Sequence, residues 1–329
     1  MKTTSKLLKF FLFVFAVVLM GSCSDDDGNI PIEQQDSDIV DLAIATDDLS
    51  ILVAALQRAD LVSALQADGP FTVFAPTNAA FEAFLNANNF ASLEDVPVEI
   101  LTQVLLNHVV SGEFTSGSLS SGYVSSLSTA GAGGNNLSLF INTSSGVTIN
   151  GISDVITADV DATNGVVHIV DAVIDIPTVV TFAVADPNFS TLVSALTELT
   201  PNTDFAGILS RTEGGNGDGI DPDFTVFAPT NAAFDALPSI PDEPVLTQVL
   251  LHHVVGGANV RSGDLTDGIM AATLEGDDIT INLPGTGDNI ADVTDGSGTS
   301  DIGIIAVDVQ AGNGVIHVLN KVMIPDTNN

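Results

Sequence analysis

The chain has 329 residues, with 42 acidic and seven basic side chains, five His, one Cys and no Trp. Nucleic-acid binding rests on neutralising phosphates with Lys and Arg, so this balance excludes it. It excludes direct attraction to an anionic membrane surface for the same reason. A hydrophobic share of 45% excludes disorder, and a lone Cys excludes an internal disulfide.

The chain opens on Lys2, Lys6 and Lys9, followed by the almost wholly apolar run from Leu7 to Met20. A bilayer span needs about 20 apolar residues, so this shorter run is expected to be an export signal over residues 1–22. It closes on Leu19-Met-Gly-Ser-Cys23, which resembles the lipobox of bacterial lipoproteins, with Met20 a less usual choice at its position. The resemblance implies that Cys23 is lipidated and becomes the mature N-terminus. The mature chain would keep four bases, Arg58, Arg211, Arg261 and Lys321, against 42 acids, a net charge of −38. Residues 23–35 are expected to be an acidic tether, beginning Ser24-Asp-Asp-Asp27. That start resembles the signal that sends lipoproteins of Bacteroidota to the outer face of the outer membrane.

From residue 36 onward a domain-length pattern begins. Leu49, Leu52, Leu56, Leu61 and Leu65 have helical spacing, which predicts two short helices between Asp48 and Gln66. Gly69-Pro70 stops them. Phe71 to Ala75 reads as a strand ending at Pro76, and Thr77 as the N-cap of a helix from Asn78 to Leu85. A second amphipathic helix is predicted from Glu99 to Val109. Gly, Ser, Thr and Asn then dominate, with strands expected around Leu137 to Ile141, Val147 to Ile149 and Val166 to Ile176. Helices first and strands after predict an α+β domain.

The pattern then repeats. Phe71-Thr-Val-Phe-Ala-Pro-Thr-Asn-Ala-Ala-Phe81 recurs unchanged as Phe224 to Phe234. Leu101 to Val110 recurs as Leu246 to Val255, with His252 for Asn107, and Asn164-Gly-Val-Val-His-Ile-Val170 recurs as Asn313 to Leu319. The spacing near 150 residues is far too long for a solenoid unit and is that of a whole domain. Two tandem domains are expected, at 36–177 and 178–326.

These boxes, in this order in both copies, resemble the fasciclin (FAS1) domain. The resemblance covers essentially all of the mature chain. It implies a wedge of β-strands packed with several helices, and a role in extracellular adhesion without catalysis. Many members carry Tyr-His where this chain has Asn107-His108 and His252-His253. In animal members that region is tied to integrin binding, so its loss here argues against integrin recognition.

Catalytic chemistry finds little support. His108, His168, His253 and His317 form two equivalent pairs, and His252 lies beside one of them. A unique active site would be expected to break that symmetry, so these His are expected to be core groups bonded to backbone. No Gly-x-Ser-x-Gly elbow, P-loop, dinucleotide fingerprint or His-Glu-x-x-His occurs. Arg261-Ser-Gly-Asp264 is expected to be a surface turn.

The copies differ in length. The offset is 140 at Leu52 and Leu192 but 153 at the Phe box, which places 13 extra residues within Ser210 to Asp223. Asn216, Asp218, Asp221 and Asp223 make this loop a weak calcium candidate, although Gly214 stands at the first ligand position and the distal Glu is missing. The run from Asp288 to Asp301 is weaker still. No other cofactor is expected.

Two functions fit. The first is a non-catalytic surface module that attaches cells to one another or to matrix through an extracellular protein or polysaccharide. The alternative is a binding protein for a polysaccharide or small ligand in a nutrient-uptake system. One Tyr and no Trp count against the alternative, because sugar platforms use aromatic faces.

Overall fold

The computed structural model describes residues 37–326; the expected export signal, Cys23 and the tether lie outside the described residues. The first copy runs α1 (Ile39–Ala45), α2 (Ser50–Arg58), α3 (Val62–Leu65), β1 (Phe71–Pro76), α4 (Asn78–Ala87), α5 (Val98–Asn107), β2 (Val109–Ser111), β3 (Gly122–Ser125), β4 (Ser138–Asn142), β5 (Thr148–Ile149), β6 (Ser153–Ala162) and β7 (Gly165–Val170). The second runs α6 (Val179–Ala185), α7 (Ser190–Thr197), α8 (Phe205–Leu209), β8 (Phe224–Pro229), α9 (Asn231–Asp235), α10 (Glu243–Leu251), β9 (Val254–Gly256), β10 (Met270–Ala272), β11 (Asp278–Asn282), β12 (Ala291–Thr294), β13 (Ile302–Ala311) and β14 (Gly314–Leu319). Both copies are α+β. Among the described residues no single helix is long and apolar enough to cross a membrane.

Each copy builds a seven-stranded sheet of the same order, β2-β1-β7-β6-β5-β4-β3 and β9-β8-β14-β13-β12-β11-β10. β1 lies parallel to β7, and β8 to β14. The strand period of two sends alternate side chains to opposite faces. Val73 and Ala75 therefore join the helices in one core, while Phe74 joins Leu139, Ile141 and Ile149 in another. The second copy does the same with Val226 and Ala228 on the helix side and Phe227 against Ile279, Ile281 and Ile302.

The repeated boxes are the joints of this arrangement. Thr77 Oγ1 accepts the Ala80 N–H at 3.2 Å and caps α4. Asn78 Oδ1 accepts the Ile51 N–H at 2.9 Å and caps α2. Thr230 and Asn231 repeat both bonds, to Ala233 and Thr191. The buried Asn164 side chain accepts from the Ile39 N–H at 3.0 Å and donates to the carbonyls of Leu65 and Ala67 at 2.7 and 2.9 Å. Asn313 does the same with Val179, Leu209 and Arg211. The following Gly165 passes so close to β1 that a Cβ there would lie 1.9 Å from the Phe71 carbonyl oxygen.

Three expectations need correction. The helix predicted to Val109 stops at Asn107, because Val109 enters β2 opposite Val73. The strand predicted to Ile176 stops at Val170. Beyond it the backbone is taken up by side chains: His108 Nε2 accepts the Ile174 N–H at 2.8 Å, and Asn107 Nδ2 donates to the carbonyls of Ile174 and Asp175. The extra residues of the second copy also divide. The bonds of Asn164 and Asn313 equate Leu65 with Leu209, an offset of 144. Four extra residues thus precede α8, and only nine lie between Leu209 and Phe224.

Both copies fall in a single compact unit. Tyr123, the only Tyr, stacks edge-on against Phe182 at 5.7 Å and tilts onto Phe140 at 5.0 Å. Its hydroxyl donates to Asp186 at 3.0 Å, and burial, then the Asp186 charge, push its ionisation well above the usual range. Phe140 of β4 is counted in the helix-side core of the second copy. A polar row runs alongside: the Gln310 N–H donates to Ser138 Oγ at 2.9 Å, Asn259 donates to the Ala132 carbonyl, and Arg261 Nη1 donates to Asn135 Oδ1 at 2.8 Å.

Candidate functional site

Every His is buried, and four act as tethers within the two repeats. His108 closes α5. Its Nδ1–H donates to the Val104 carbonyl at 2.7 Å, and Nε2 accepts from Ile174. His253 repeats this with Val249 at 2.7 Å and the Met323 N–H at 2.9 Å. Burial pushes both rings down to about 4, against a small opposing effect of the carbonyl bond. His168 donates from Nε2 to the Phe114 carbonyl at 2.8 Å, accepts the Asp159 N–H at 3.2 Å, and stacks on Phe74 at 5.6 Å. His317 donates to the Val260 carbonyl and lies 5.5 Å from Phe227. These four rings hold backbone in place.

The position of the missing Tyr differs between copies. Asn107 is fully buried and spends its amide on the carbonyls of Ile174 and Asp175. His252, also fully buried, turns instead to the segment joining β10 and β11. Its Nδ1 lies 3.4 Å from Glu275 Oε2 and 3.3 Å from Thr273 Oγ1, while Nε2 accepts the Gly296 N–H at 3.2 Å. An accepting Nε2 places the proton on Nδ1. Burial lowers the affinity of this ring for a second proton, partly offset by the charges of Glu275, Asp295 and Asp277. Asp277 Oδ2 accepts the Asp326 N–H at 2.7 Å, and Asp295 Oδ2 accepts the Ile324 N–H at 2.8 Å.

The calcium candidates of the sequence are occupied differently. Asp218 receives both Nη1 and Nη2 of Arg211, at 3.0 and 2.7 Å, which holds its carboxyl below the usual range. Asp221 Oδ1 accepts the Gly215 N–H at 2.7 Å and lies 3.3 Å from Asn216 Nδ2. Asp223 is half-buried and shifted upward by that burial. The loop closes on its own Arg211 and backbone. Among the described residues, the one set of three or more His, Cys, Asp or Glu whose ligand atoms all lie within 4.8 Å is His252, Glu275 and Asp277. Spacing along the chain did not reveal this set; the substitution of His252 for Asn107 was its only sequence signal. Ser262 to Asp264 form a short turn with no buried residue, as expected, and Arg261 at its start also reaches Asn135 of the first copy and pairs with Asp308 at 3.4 Å.

Comparison with known proteins agrees with this architecture. The Fasciclin domain family model matches residues 47–177 and 187–325. Protein sll1483 of Synechocystis sp. is 37% identical over 183 residues, covering 53% of this chain and 98% of that protein. Periostin of Homo sapiens is 27% identical over 300 residues, covering 89% of this chain and 32% of periostin. The cell surface glycolipoprotein MPB83 of Mycobacterium bovis is 32% identical over 154 residues, covering 45% of this chain and 60% of that protein. Among solved structures, the FAS1 domain pair of the insect cell adhesion molecule fasciclin I superposes with a TM-score of 0.51 at 19% identity, covering 84% of this chain and 97% of that one. With two matches that together span most of its length, the chain belongs to the fasciclin family.

Proposed function

We propose that the protein is a non-catalytic attachment module of the cell surface, held there by a lipid on Cys23. The observation that carries this reading is the paired fasciclin domain: a chain matched over 89% of its length by periostin and in part by a cell surface glycolipoprotein. The internal chemistry agrees with it, since four of the five His are committed to backbone. The exposed surface is strongly acidic and fits a hydrated exterior. The test compares a deletion strain with its parent in attachment and cell-aggregation assays. Loss of attachment, restored by the wild-type gene, supports the reading; equal attachment by both strains overturns it. Cys23→Ala should leave the protein unprocessed or released from the membrane fraction. A Cys23→Ala protein that is processed and partitions into detergent like wild type would remove the anchor from the proposal.

A further inference from the structure

We propose that His252, Glu275 and Asp277 form a binding site for a first-row transition-metal dication of the zinc class. The first argument is the donor set. Imidazole and carboxylate are both zinc ligands, and three protein donors leave a fourth tetrahedral position for water. Donors bound at about 2.0–2.2 Å around a tetrahedral ion stand roughly 3.3–3.6 Å apart. His252 Nδ1 and Glu275 Oε2 are already 3.4 Å apart, and all three ligand atoms lie within 4.8 Å. Small side-chain adjustments would complete the set. An imidazole ligand favours zinc, cobalt or nickel over calcium and magnesium, which take oxygen donors.

The second argument comes from the repeat. The first copy holds none of the three ligands. Asn107 stands for His252, and its amide is spent on the carbonyls of Ile174 and Asp175. The segment joining β3 to β4, residues 126–137, contains no Asp or Glu, whereas the segment joining β10 to β11 supplies both Glu275 and Asp277. Three separate differences between the copies thus converge on one point in space. A change that served only packing would not require the other two. Glu275 and Asp277 are half-buried and His252 is buried, so the ion would enter from the carboxylate side.

The geometry also dictates what binding must move. With metal on Nδ1, the neutral ring carries its proton on Nε2, which then faces the Gly296 N–H. That amide has to turn away. The turn from Asp295 to Thr299 therefore reports occupancy, and the Gly296 amide resonance is its most direct reporter.

The test uses the purified, untagged full chain stripped with chelator. Isothermal titration with Zn2+ should show one equivalent per chain, and Ca2+ at the same concentration should not compete. Co2+ should give the visible absorption of a tetrahedral site, and Zn2+ should shift the Gly296 amide. His252→Asn, which installs the residue of the first copy, should weaken Zn2+ binding at least tenfold, and Glu275→Gln likewise. Should His252→Asn fail to fold, Glu275→Gln on its half-buried turn and the wild-type Co2+ spectrum decide. Absence of binding overturns the proposal. So does diffuse binding of many equivalents that both variants leave unchanged, and so does a Gly296 amide indifferent to zinc.

Discussion

His108 and His253 carry the same two bonds in the two copies and occupy the same kind of site, closed to water and satisfied only by the neutral ring. The unfolded chain takes up a proton on each near the ordinary pKa of 6.5, whereas the folded site resists until about 4. The stability they contribute is therefore complete above about pH 6.5 and is lost as pH falls toward 4. Each shift costs about 1.4 kcal/mol per pH unit once the unfolded ring is protonated, so the pair should remove about 4 kcal/mol between pH 7.5 and 5. Urea unfolding at pH 7.5 and pH 5 measures this directly, and equal midpoints would contradict it. At the same scale, Phe74 and Phe227 are almost wholly buried. Phe74→Ala or Phe227→Ala should each cost about 3–5 kcal/mol as a large-to-small core change, seen as a lower melting temperature. The identity of the box in both copies already marked these Phe as core. The roles of the His could not be read so far. The sequence shows which rings are repeated, but only the fold brings Val104, Ile174 and Phe114 within reach of them.

Among the elements, the joints matter more than the strands. Asn164 ties the start of α1, the end of α3 and the turn before β7 with three bonds, two of them buried. Asn164→Ala leaves one N–H and two carbonyls to be satisfied elsewhere. At about 1–3 kcal/mol for each buried group left without a partner, it should destabilise the first copy by at least about 3 kcal/mol. Asn164→Asp should not rescue it, since a carboxylate cannot donate to the carbonyls of Leu65 and Ala67. Hydrogen exchange localised to α1 and α3 is the readout, and unchanged protection there would refute the account. The strand and the capped helix around Pro76 and Thr77 were legible because Pro, Thr and alternating apolar residues act locally. The ends of α5 and β7 were not, because α5 stops where Val109 pairs with Val73 of β1, and beyond β7 the backbone of Ile174 and Asp175 is taken up by the distant side chains of His108 and Asn107.

For the whole molecule, the two copies are expected to unfold together, since Tyr123 and Phe140 fill a core that the second copy cannot close alone. Calorimetry should show one transition for the wild type. Tyr123→Ala should split it in two, whereas Tyr123→Phe, which removes only the bond to Asp186, should cost about 1 kcal/mol and keep one transition. A single transition in Tyr123→Ala would show that the polar row suffices. The tandem organisation was plain from the repeats; the contact between the copies was not, because it is made from positions the repeats do not share.

Those positions can be matched. Ser116 and Ser262 both donate to the Asp of the bulged strand, Asp159 and Asp308, which aligns Arg261 with Thr115 and Gln310 with Asp161. Leu139 and Ile141 align with Ile279 and Ile281, so Phe140 answers to Thr280 and its partner Tyr123 to Met270. The order of the two domains is therefore a directed relation, like a plug and a socket that each occur once. A chain with the domains transposed would lose the joint and leave the helix-side core of the second copy open where Phe140 and Tyr123 now fill it. A third copy appended at either end would hang as a free bead. Any lengthening of the array requires new mating surfaces, not merely another duplication.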